Sequence, residues 1–119
     1  MNHNQELGQR GETLAAEYLG RRGMRVLDRN WRCRTGEIDI VAYDQGTIVA
    51  VEVKTRSGLG FGYPADAVDP RKLLRLHRLA SAWCRENQEN HRKRRVDVVS
   101  ILAVPGRKPE FDYFQAMVP

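Results

Sequence analysis

Apolar residues Leu7, Leu14, Ala15, Tyr18 and Leu19 recur at helical spacing through residues 5–22, and Gly23 follows as a stop, so the pattern predicts a first helix there. Residues 24–31 begin apolar and turn polar, the pattern of a strand leading into an irregular basic stretch. Residues 36–43 and 47–56 are rich in β-branched side chains, and the intervening Asp44, Gln45 and Gly46 make a turn, which predicts a hairpin. Gly58, Gly60 and Gly62 then mark residues 57–64 as a loop. Asp69 and Pro70 open a second helix running to about residue 87, with Leu73, Leu76, Ala80 and Trp83 on one face and Arg71, Arg75, Arg78 and Arg85 largely elsewhere. Residues 95–104 and 111–118 read as two further strands. The order helix, three strands, helix, two strands predicts a single α/β domain over residues 1–119, a mixed sheet flanked by helices.

The hairpin carries the candidate chemistry, because its turn fixes its register. With Gln45 and Gly46 at the tip, Asp44 pairs with Thr47, and counting outward sets Asp39 opposite Glu52 and Glu37 opposite Lys54. Alternation then projects Glu37, Asp39, Glu52 and Lys54 from one side, while Ile38, Ile40, Val49, Val51 and Val53 form the other, a core face. Like charges directly across a ladder are destabilising, so Asp39 and Glu52 require a reason for being there. Two converging carboxylates supply the hard oxygen ligands that Mg²⁺ takes, and Lys54 on the same face could orient or deprotonate an attacking water or neutralise transition-state charge. The competing account is an exposed ribbon face with a weak Glu37–Lys54 ion pair. Against it, Val41, Tyr43, Ile48 and Ala50 continue the same face toward the turn, so this side too is partly covered.

Composition adds a partner class. Lys and Arg number 20 against 15 Asp and Glu, a formal charge of +5, and sixteen of the twenty basic residues are arginines. Arginine binds phosphate bidentately and keeps its charge, so a polyanion such as nucleic acid is a candidate partner, with plain solubility the competing explanation. Arg29, Trp31, Arg32 and Arg34 mix basic and aromatic character in a way that suits phosphate contact and base stacking, although Trp31 reads equally well as core. Arg56 and Phe61 flank or lie in the glycine-containing loop, which reads either as a flap along a DNA backbone or as ordinary surface. Cys33 and Cys84 are too far apart for metal-ligand spacing, and His3, His77 and His91 add no pattern, which argues against zinc. The first residues lack the basic and apolar stretches of a secretory leader, and no apolar run reaches about 18 residues, so a cytoplasmic protein without a membrane span is expected.

An acid on one strand followed by Glu52-Val53-Lys54 on the next resembles the signature of the PD-(D/E)xK nuclease superfamily, with Asp39 as its first acid. The wider set is more specific: Gly11-Glu12, Arg29-Asn30-Trp31-Arg32, Gly36-Glu37-Ile38-Asp39, Val51 to Arg56, Phe61-Gly62 and Val96 to Val99. It covers most of the chain and is similar to the YraN-like family of uncharacterised bacterial proteins, regarded as related to archaeal Holliday junction resolvases. The resemblance implies a restriction-endonuclease-like sheet of about five strands and a DNA endonuclease dependent on Mg²⁺ or Mn²⁺. It also implies metal ligation by Asp39, Glu52 and Glu12, catalytic help from Lys54, and a two-fold homodimer if paired cuts are made across a branched substrate. Without the resemblance Glu12, on the edge of the first helix's apolar stripe, reads as solvated. The proline of the PD element is absent, Ile38 standing before Asp39. Two other classes compete with the enzyme: a DNA-binding module of nuclease fold without cleavage, and a protein that does not bind DNA at all.

Overall fold

A computed structural model describes residues 3–58 and 68–119. Its elements are α1 (His3–Arg21), β1 (Arg25–Cys33), β2 (Gly36–Asp44), β3 (Thr47–Arg56), α2 (Pro70–Glu86), β4 (Lys93–Leu102) and β5 (Glu110–Phe114). The five strands form one sheet in sequential order; β3 and β4 are parallel and every other neighbouring pair is antiparallel. That single parallel pair requires a crossover, and α2 supplies it. The expected mixed α/β sheet flanked by helices is what forms.

The two helices cover opposite faces of the sheet. Ala15 and Leu19 of α1 pack with Ile40, Ala42, Val49, Val51, Val99 and Ile101. On the other face Leu73, Leu76, Leu79, Ala80 and Trp83 of α2 pack with Val41, Ile48, Ala50, Val96 and Val98. A sheet covered on both sides explains why β3 reads as a nearly continuous apolar run. Asp69 caps α2, its carboxylate accepting from the Lys72 amide at 2.9 Å, and Pro70 occupies the first turn, as the sequence implied.

The hairpin register is as derived: Asp44 pairs with Thr47 and Ile40 with Val51. Gln45 and Gly46 both have positive φ, 49° and 92°, the backbone of a two-residue turn whose twist suits the flanking strands. Two expectations are corrected. The basic stretch after residue 31 is regular: β1 continues to Cys33, with Arg32 paired to Glu37 and Cys33 to Gly36. As the sheet's outermost strand it tolerates polar residues on its open side, which concealed it from the hydrophobic pattern. Ile38 is also misplaced by simple alternation, since it packs with the α2 cluster rather than beside Ile40. The cause lies at Asp39: it has no partner opposite Asn30 in the β1–β2 ladder, and the β2–β3 ladder ends at Ile40 and Val51, so the expected pairings of Asp39 with Glu52 and of Glu37 with Lys54 are not made. Asn30 adopts φ 53° there, and β2 changes face across the break. The loop glycines Gly60 and Gly62 and the proposed contact Phe61 lie outside the described residues.

Candidate active site

The break in the ladder is what releases the Asp39 side chain. Its carboxylate takes the place of a strand partner, Oδ2 accepting from the Val53 amide at 2.8 Å. Glu52 and Lys54 flank Val53 on β3 and face α2. The three side chains join Glu37, Lys72, Arg75, Leu76 and Leu79 around a cleft of about 330 Å³. Glu52 is 4% exposed, so this is an anion taken almost wholly out of water.

Electrostatics follow from that burial. The Asp39 carboxyl is pushed up to about 8, first by desolvation and then by the Glu52 carboxyl within hydrogen-bonding reach, with a smaller push from Glu12; the Val53 amide opposes. Lys72 reaches down from the first turn of α2 and contacts Glu52 Oε2, and the Lys54 ammonium lies 3.7 Å from the same oxygen. Burial works against the charge on Lys72, but Glu52 outweighs it and holds the ammonium above the ordinary lysine range. Despite these ionic neighbours, Glu52 Oε2 makes no hydrogen bond of ordinary geometry. A buried carboxylate whose counter-charge comes from two partly exposed lysine side chains, beside a second carboxyl that burial and Glu52 hold protonated, is a pair whose positive partner can be exchanged. Hard oxygen donors in that condition fit a divalent cation such as Mg²⁺.

The other expected site residues are placed differently. Glu12 lines a neighbouring cavity with Gln5, Gln9, Asn30 and Arg32, and among the described residues no three His, Cys, Asp or Glu side chains gather tightly enough to hold a metal ion. Glu37 lines the cleft but is paired with Arg32 at 3.0 Å. Arg29 donates to Thr13 at 3.3 Å, Arg34 is exposed on the β1–β2 turn, and Arg56 is half-buried at the end of β3. Trp31 packs against the α2 cluster with its indole donating to Glu86 at 3.2 Å, which gives it the core role of its two readings. Lys72 and Arg75 were missed by the sequence reading. Their signal was helical phase: Lys72 is four residues from Leu76, and Arg75 is four from Leu79, so both flank the face that α2 turns to the sheet.

Gly11 explains part of the first motif. A Cβ there would lie 1.8 Å from Thr55 Oγ1, so only glycine lets α1 come this close to β3 beside Lys54.

Residues 11–101 match the profile described as "Uncharacterised protein family UPF0102". The chain belongs to this family. Among its relatives, a UPF0102 protein from Paenarthrobacter aurescens (strain TC1) is 52% identical over 111 residues, covering 93% of this chain and 92% of the relative. Another from Nocardia farcinica (strain IFM 10152) is 50% identical over 113 residues, covering 95% and 89%. Among solved structures, the Holliday junction resolvase Hjc of Archaeoglobus fulgidus overlaps 89% of this chain and 73% of its own, with 22% identity and a TM-score of 0.48. Membership accords with the motif resemblance, and the family's own description assigns no activity.

Proposed function

We propose that this UPF0102 protein is a divalent-metal-dependent DNA endonuclease that hydrolyses phosphodiester bonds, with branched DNA as the substrate class implied by the motif resemblance. The observation that carries the reading is the convergence of Asp39 and Glu52, two carboxyls at a break in the sheet, with Lys54 and Lys72 in one cleft edged by Arg75. Carboxylates alone would repel a phosphate, and lysines alone would hold one without activating it. The two sets together suit phosphoryl chemistry.

Asp39 and Glu52 would hold Mg²⁺ or Mn²⁺, with Glu12 near enough to contribute long-range charge. Such a cation supplies Lewis-acid polarisation of a phosphoryl oxygen and acidification of water. Lys54 has about a third of its side chain exposed and projects from the same strand face as Glu52. It donates to a phosphate oxygen, offsetting negative charge as it grows on the transferring group, or orients the water. Lys72 neutralises Glu52 in the resting protein and exchanges that carboxylate for a phosphate when substrate enters. Leu76 and Leu79 form an apolar wall that limits water around these charges.

The test is a cleavage assay over branched, duplex and single-stranded DNA with Mg²⁺, Mn²⁺ or EDTA, combined with metal titration by calorimetry. Asp39→Asn and Glu52→Gln should abolish cleavage and weaken metal binding, whereas Lys54→Ala should abolish cleavage with metal binding largely retained, because a lysine is no ligand. DNA binding in EDTA should hold or tighten in the two carboxylate variants. Wild-type protein without metal-dependent cleavage on any substrate, and without metal binding that Asp39→Asn removes, would leave the DNA-binding module as the correct class.

A further inference from the structure

Most arginines outside α2 are engaged within the molecule. Arg32 pairs with Glu37, Arg92 with Glu89, and Arg95 with Asp44 and Asp97, while Arg22 lies over Tyr113 and Arg25 over Tyr43. Arg71, Arg75, Arg78 and Arg85 differ: all four are exposed, and none has an ion pair, hydrogen bond or ring contact among the described residues. Their positions, with Ala82 completing the series, alternate steps of four and three. At about 100° per residue this keeps the row within an arc of about 80°, and at about 1.5 Å per residue it extends about 21 Å along the helix. Glu86 is the one acidic residue in α2 and lies off this row, its carboxylate accepting from the Trp31 indole.

The row lies in a depression rather than on a ridge. A groove of about 530 Å³ follows it, with Thr35 of the β1–β2 turn and Leu74 among its lining residues, and small Ala82 keeps it open between Arg78 and Arg85. Arg75 lines both this groove and the carboxylate cleft, so the two depressions share a wall.

We infer that the outer face of α2 is a docking track for the phosphate backbone of duplex DNA, entering the carboxylate cleft at Arg75. The occupant must be a polyanion, because four like charges held about 5–10 Å apart on one helix repel one another until counter-charge arrives. It must also be extended and regular. Neighbouring phosphates along one strand of a duplex lie about 7 Å apart, so about 21 Å of arginine faces about four of them, one for each arginine. A stiff row of cations on a packed helix matches a stiff row of phosphates without the ordering cost of a flexible chain. The track rests on the nucleic-acid reading of the cleft for its direction, but not on cleavage.

Binding measured in EDTA separates the two. Fluorescence anisotropy of a labelled duplex is followed against salt for wild type, for Arg78→Gln/Arg85→Gln, and for Arg10→Gln/Arg107→Gln, which removes two exposed arginines elsewhere. The α2 variant should lose about 1.8 from the slope of log affinity against log salt. If the curves converge at 1 M, that is a loss of roughly 60-fold at 0.1 M, with the second variant close to wild type. Equal losses in both variants, or none in either, overturn the track and leave diffuse charge as the source of any affinity. Single-stranded DNA binding as tightly as duplex, with the same loss, overturns the duplex assignment. Cleavage with an unaltered slope in the α2 variant removes the track alone. A track without cleavage removes only the nuclease reading.

Discussion

Asp39 is a half-buried carboxyl that the fold denies a strand partner, and its titration carries a consequence for stability. Its native value is raised to about 8 from an ordinary 3.8 by burial and by Glu52. The folded protein therefore keeps a proton that the unfolded chain gives up near pH 4. That contribution is fully present below pH 4 and is lost as pH rises toward 8, with a limiting slope of about 1.4 kcal/mol per pH unit. Urea unfolding in EDTA should accordingly show metal-free protein weakening from pH 5 to pH 8, and Asp39→Asn, which cannot ionise, should flatten the curve. Identical pH dependence in the two proteins would mean that Asp39 is already ionised in the native state. Added Mg²⁺ should flatten the wild-type curve as well, since a cation at the pair favours the ionised form.

At the scale of elements, the approach of α1 to β3 depends on Gly11 in a way that the other glycines of α1 do not share. Gly11→Ala forces its new methyl into Thr55, and overpacking of this kind costs roughly 1–3 kcal/mol, whereas a Cβ at Gly20 meets nothing within 4 Å. Gly20→Ala should therefore stabilise by up to about 1 kcal/mol through helix propensity, and thermal unfolding of the two variants should move in opposite directions. The same local view shows what the sequence made legible. A two-residue turn with Gly46 at its tip fixed the β2–β3 register, and register plus alternation put Asp39, Glu52 and Lys54 together. Alternation failed at Ile38 because it assumes an unbroken ladder, and the break is the very feature that frees Asp39. The extension of β1 was hidden because an outermost strand can carry an exposed Arg32 and Cys33 without a core pattern. Lys72 was passed over because a charge near a helix start reads as solvated until the strand beneath it is known to carry a buried acid. The placement of Glu12 depends on how α1 rotates against the sheet, which no spacing within the helix encodes.

For the molecule as a whole, the sheet separates two buried acids with opposite tasks. Glu52 faces α2 and is met by the ammonium groups of Lys72 and Lys54, two partly exposed side chains, whereas Asp97, fully buried on β4 and in register with Val51, is fixed by several hydrogen bonds. Asp97 accepts from Arg95 at 3.0 Å, from the Tyr113 hydroxyl and from the Ala116 amide at 2.9 Å, and Arg95 continues to Asp44 at 2.8 Å. This network ties the end of β2 to β4, β5 and the C-terminal segment. That segment is fastened again where the Met117 amide donates to the Val96 carbonyl at 2.8 Å and the Met117 carbonyl lies 2.8 Å from the His77 ring. Proton retention by Tyr113, pushed up to about 12 by burial and by Asp97, fits a network built to persist rather than to exchange ligands. Breaking a buried ion pair from one side costs roughly 3–5 kcal/mol, so Asp97→Ala should lower the unfolding midpoint far more than Glu52→Gln, which keeps a polar side chain of the same shape and leaves two partly exposed lysines free to turn to water. Below that midpoint, the Asp97→Ala protein should bind Mg²⁺ as wild type does, whereas Glu52→Gln should remain folded and lose the metal. Loss of metal binding in folded Asp97→Ala would show that the two faces are coupled and that the chemistry is not confined to the α2 side.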